Sequence, residues 1–156
     1  PGTPIVLVSD PGSATEAKVR LGRIGFDDVA GALTDVERAL AEHPDRAGRL
    51  SRLTASQLAS RQAELGDELV LIDVRNPAEV AAAPVPGARH LPLAHLRGRL
   101  DELDPTRPVV LVCAGGARSA IANSVLRAAG FADVSDVLGG AVALGAATAC
   151  SVSNPA

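Results

Sequence analysis

The chain has 156 residues, 47% of them hydrophobic, which is enough for one domain of ordinary size or for one domain plus a fragment. The formal net charge is −3, and every basic residue except Lys18 is an arginine, with no basic stretch; nucleic acid is therefore not an expected partner. No apolar run reaches membrane-spanning length, no signal peptide is recognisable, and two cysteines do not make a disulfide framework, so a cytoplasmic, reducing setting without a membrane partner is expected. Only Phe26 and Phe131 are aromatic, so any core must be aliphatic.

In chain order, Ile5–Val8 predicts a short strand ending in a turn at Ser9–Gly12. Ala14–Ile24 has apolar residues at helical spacing, with Gly25 as the expected C-cap. Asp28–Leu33 predicts another strand, and Thr34–Ala41 a short helix with Thr34 and Glu37 as a capping box. The polar stretch 42–52 predicts a linker. Thr54 or Ser56 can then cap a helix reaching about Ala63. Leu69–Asp73 is apolar on both faces, as a buried parallel strand should be. Pro77–Ala83 predicts a short helix with proline in its first turn. Pro84–Leu93 predicts a loop around one short strand, and Leu93–Leu103 a helix. Val109–Val112 is a second buried strand, Arg118–Ala129 a helix and Val134–Leu138 a third strand. Gly139 and Gly140 then break the chain before a last short helix, and residues 145–156 predict a loose tail.

Strands alternating with helices imply an α/β fold with a parallel sheet, and ligands on such sheets bind beyond the C-terminal strand ends. The sequence also repeats itself. "PIVLVS" at Pro4–Ser9 matches "PVVLVC" at Pro108–Cys113, and "GFDDV" at Gly25–Val29 matches "GFADV" at Gly130–Val134. Residues 1–41 therefore read as the C-terminal half of a degenerate copy of the later unit, with Ser9 in place of Cys113. Residues 42–52 are the linker, 53–144 the complete domain and 145–156 the tail. The apolar half-copy is expected to pack on another domain or to pair with a second copy as a homodimer.

Cys113 follows directly on a buried strand, where a site is expected. Gly115 and Gly116 allow the chain to curl over a helix start, turning backbone N–H groups into one concavity that favours anions. The same dipoles, with Arg118, would stabilise a Cys113 thiolate. A thiolate ringed by such donors is suited to carry a second sulfur as a persulfide. Ser119 can cap the helix or bond the loop. His43, His90 and His95 have no zinc-type spacing, so no metal is expected in this chain. Cys150 reads as an incidental thiol, or else as a resolving cysteine for a persulfide on Cys113.

"LVLIDVRNPAEV", "PVPGARHLPL", "VVLVCAGGARS" and "LGG", in this order, resemble the rhodanese family of sulfurtransferases. The resemblance implies a five-stranded parallel sheet wrapped by helices. It implies that Cys113 takes sulfane sulfur from a small-molecule donor, thiosulfate or a thiol persulfide, and passes it to a thiol or other thiophilic acceptor. It places the sulfur in a loop formed by Ala114, Gly115, Gly116, Ala117, Arg118 and Ser119, and makes Asp73 and Arg75 supports of that region. Arg75 is expected in a salt bridge, with Glu79 as a candidate partner. Related dual-specificity phosphatases have one more residue between cysteine and arginine; here the loop is sized for a single sulfur. A degenerate half-copy before a complete domain looks like the C-terminal part of a fusion to a metallo-β-lactamase-fold hydrolase of the persulfide-dioxygenase kind. On that view a metal would sit in the hydrolase, and this domain could instead be a non-catalytic persulfide carrier or docking module.

Overall fold

A computed structural model describes residues 3–46 and 48–152, leaving aside the side chains of Arg46 and of residues 148–152. The chain divides into two compact units, one ending at Gly48 and the other beginning at Arg49.

In the first unit, β1 (Ile5–Val8) pairs in parallel with β2 (Val29–Leu33) through α1 (Ala14–Gly22), and α2 (Val36–Glu42) follows. Helix α1 stops at Gly22, short of the expected Ile24, and Gly25 takes its positive φ in the turn beyond. Asp35, not Thr34, caps α2; its carboxylate accepts from the Arg38 N–H at 3.0 Å. The expected box of Thr34 and Glu37 is therefore displaced by one position. The first pair, Ile5↔Val29, repeats Val109↔Val134 of the later unit, and the register then slips by one residue. No described residue of this unit is buried, and Val6, Val8, Ile24 and Phe26 are exposed. A two-stranded sheet cannot enclose a core by itself.

The second unit is a five-stranded parallel sheet in the order β3-β7-β6-β4-β5. Its strands are β3 (Ser51–Leu53), β4 (Val70–Asp73), β5 (Arg89–His90), β6 (Val109–Val112) and β7 (Val134–Val137). The helices are α3 (Ala55–Leu65), α4 (Pro77–Ala82), α5 (Leu93–Leu96), α6 (Ala117–Ala128) and α7 (Gly140–Val152).

Three expectations about this unit change. Strand β3 begins inside the predicted linker, at Ser51 and Arg52, and pairs with β7; a short, mostly polar edge strand carries no apolar pattern to reveal it. The predicted helix 93–103 is α5 followed by a 3-10 segment, Arg97–Glu102, interrupted at Arg99, where φ is −133°. The predicted tail is helical through Val152, since alanine-rich sequence is strongly helix-forming. Thr54 does cap α3, accepting from Gln57 N–H while the Gln57 side chain accepts from Thr54 N–H.

Side chains of successive strand residues point to opposite faces, so the apolar strands fill two layers. Ile72, Val109, Leu111 and Val134 join Leu96, Ala122 and Leu126 in one layer. Leu71, Val110, Val112 and Val137 join Leu58 in the other. Cys113 continues the Val109–Leu111 alternation into the first layer, beneath α6. A concavity of about 410 Å³ on the opposite layer, lined by Leu58, Leu71, Val85 and Leu144 among others, is therefore not where the cysteine points.

Candidate active site

Strand β6 delivers Cys113 to its C-terminal end, and the next residues turn directly into α6. Gly116 is the turning point, with φ of +105°, which favours glycine. The turn brings the Gly116 N–H to 3.1 Å from Cys113 Sγ, and Ser119 Oγ to 3.4 Å. Ser119 Oγ in turn donates to the Gly116 carbonyl at 3.1 Å. The thiol can thus donate to Ser119; when it ionises, the hydroxyl can rotate to donate back to sulfur.

Cys113 is buried, at 1% exposure. Burial raises its pKa and is the largest single effect. The Ser119 hydroxyl and the N–H groups of Ser119, Gly116 and Gly115 together outweigh it, so the pKa falls below the ordinary thiol value. Ser119→Ala should move the pH midpoint of thiolate formation upward, measured by ultraviolet thiolate absorbance. Sulfur acceptance should then fall at neutral pH and recover in alkali; an unmoved midpoint would show that the hydroxyl does not stabilise the thiolate.

A second clamp comes from the start of α7. Ala141 N–H donates to the Cys113 carbonyl at 2.7 Å, and Val142 N–H to the Ala114 carbonyl at 3.3 Å. Those carbonyls pass so close that any β-carbon on Gly140 would overlap them. The "LGG" motif thus belongs to the site through its backbone.

The charged residues sort into pairs, and they differ from the expected ones. Arg75 pairs with Asp73, not with Glu79. Its Nη2 and Nε lie 2.6 and 2.9 Å from Asp73 Oδ2, and Nη2 also donates to the Ala83 carbonyl at 2.8 Å. Both residues are buried, and the Asp73 hydrogen bond raises the Arg75 pKa further. His90 Nε2 is 2.9 Å from the Arg75 carbonyl. Glu79 pairs instead with Arg118: Nη2 to Oε1 and Nη1 to Oε2 are each 2.7 Å. The Asn76 N–H also bonds Glu79 Oε2, at 3.1 Å. The Arg118 bonds, then the Asn76 bond, lower the Glu79 pKa to about 2. Because the folded pKa is depressed, the stabilisation is present above the ordinary carboxylate pKa and is lost as pH falls from there through about 2.

A third pair was not foreseen. Arg52 of β3 reaches the buried Asp136 carboxylate at 3.1 Å, and its guanidinium lies against Gly116. An arginine in an apparent linker gives no hint of this; the aspartate set between the valines of "VSDV" was the available signal. Ala114 is half-buried, while Gly115 and Ala117 are exposed at the mouth of the loop. The Cys150 side chain lies outside the described residues, so its resolving role has no geometry to meet. Among the described residues no group of three metal-ligating side chains occurs, and no helix is long and apolar enough to cross a membrane.

Fold and site together define a rhodanese-type α/β domain, with its cysteine in a strand-to-helix cradle at the C-terminal edge of a parallel sheet. The rhodanese-like domain family model matches residues 54–147, and the chain belongs to that family of sulfurtransferases. A sulfurtransferase of Allochromatium vinosum is 35% identical over 94 residues, covering 60% of this chain and 87% of that protein. The thiosulfate sulfurtransferase GlpE of Pseudomonas fluorescens is 38% identical over 71 residues, covering 46% of this chain and 65% of its own length. Some other curated relatives are covered over about half of their length. The crystal structure of a rhodanese-like domain protein from Staphylococcus aureus superposes with a TM-score of 0.56 at 28% identity, over 61% of this chain and 91% of that one.

Proposed function

We propose that the second unit transfers sulfane sulfur by double displacement through a persulfide on Cys113. The observation that carries this reading is the convergence of the Gly116 N–H and the Ser119 hydroxyl on Cys113 Sγ at the start of α6. The names of the relatives support the same reaction class. The Cys113 thiolate attacks the outer sulfur of thiosulfate or a thiol persulfide. The donor's sulfur–sulfur bond breaks, and sulfite or a thiolate leaves with the electron pair. The terminal sulfur then carries the negative charge, and the loop donors hold it as they held the thiolate. An acceptor thiol takes that sulfur and restores the cysteine.

The half-unit lacks this chemistry, with Ser9 at the cysteine position and no loop arginine. It is read as an inactive copy, and the order of the two units is what supports the proposed hydrolase fusion.

Incubation of the chain with thiosulfate and, separately, with glutathione persulfide tests the reading by peptide mass. A gain of one sulfur atom on the Cys113 peptide is expected with at least one donor. No gain with either donor, or a gain confined to Cys150, would overturn it.

A further inference from the structure

The charge around the cradle is closed. Arg118 is held by Glu79, Arg75 by Asp73 and Arg52 by Asp136, each cation against one carboxylate. The loop residues between cysteine and arginine, Ala114, Gly115, Gly116 and Ala117, carry no charge. Glu79 is not free to swing away, because the Asn76 N–H at the start of α4 fixes the same Oε2 that meets Arg118. The guanidinium beside the nucleophile is therefore neutralised before any donor arrives.

From this we infer that Glu79 is a specificity-determining residue: by neutralising Arg118 it makes the site select a thiol persulfide over thiosulfate. The inference rests on the sulfur-transfer reading above and narrows its donor. Thiosulfate brings a dianion to an anionic thiolate and releases sulfite, also a dianion, so an uncompensated cation at the mouth of the loop favours it. A thiol persulfide brings at most one charge on its sulfur chain. The Cys113 thiolate attacks its outer sulfur, the inner sulfur leaves as a thiolate, and that thiolate takes the persulfide proton. Cys113 is left as a persulfide anion with no net oxidation. The exposed, uncharged Ala117 and Gly115 at the mouth suit an organic thiol better than a sulfonate-like group.

The test compares kcat/KM for thiosulfate and for glutathione persulfide. The wild-type chain should favour the persulfide by at least about tenfold. In Glu79→Gln the side-chain oxygen can still accept from Asn76, but the charge is gone. The thiosulfate-to-persulfide ratio should rise about tenfold through the thiosulfate KM, the order expected of one unbalanced charge largely screened by solvent. Ala117→Lys, at an exposed position, adds a charge without touching the Glu79 pair and should move the ratio the same way. A wild-type preference for thiosulfate, or an unchanged ratio in both variants, would overturn the inference. Both results leave the Cys113 persulfide intact, whereas no sulfur gain with either donor removes the underlying reading itself.

Discussion

Cys113→Ala should abolish sulfur transfer while the chain stays folded. The side chain is buried in the layer beneath α6, so its removal leaves a small cavity. Losing an atom group of about methylene size costs roughly 1 kcal/mol, well within the stability of an ordinary domain. The first unit makes the same point within one chain. It keeps the strand, turn and helix with Ser9 at the matching position, so the local fold does not need the thiol. Activity is different, because alanine has no atom on which a persulfide can form. Donor-dependent sulfur release to a thiol acceptor, measured beside a circular dichroism melt, separates the two effects. Turnover retained in the variant would remove Cys113 from the mechanism.

Asp73→Ala should destabilise the second unit by about 3–5 kcal/mol, the usual cost of leaving a buried charge without its partner. Arg75 and Asp73 are 4% and 1% exposed, so water cannot replace the lost carboxylate. Asp73 also accepts from the Arg75 backbone N–H at 3.0 Å, which sets the turn leaving β4. That turn leads into α4 and hence to Glu79, so loss of the pair should loosen the Glu79–Arg118 contact as well. Denaturant unfolding should show the loss in the transition midpoint. A change under about 1 kcal/mol would mean that Arg75 finds other partners or solvent. The double variant Asp73→Ala with Arg75→Met should recover much of the loss, because it removes the orphaned charge rather than the interaction alone.

How far the sequence could be read follows from which signals are local. Strands β4 and β6 are runs of branched aliphatic residues, closed in β4 by Asp73, and in a sheet covered on both faces such runs are the direct imprint of burial. The two glycines, the arginine and the serine after Cys113 lie within six residues of it, so the cradle was legible as a loop. Strand β3 was not, because its evidence is its pairing with β7, more than eighty residues away. The helical end of the chain was misread because alanine and small polar residues suit a tail as well as a helix.

By itself the sequence determined the alternation of strands and helices, the place of Cys113 at a strand end and the family. Each follows from residue order over short spans, where hydrophobic period and turn chemistry act. Only the tertiary structure decided which charges meet. Arg75 chose Asp73 two residues away over Glu79 four residues away, and Glu79 crossed to Arg118 on another helix. An ion pair depends on where the sheet brings side chains in space, and residue spacing carries no record of that distance.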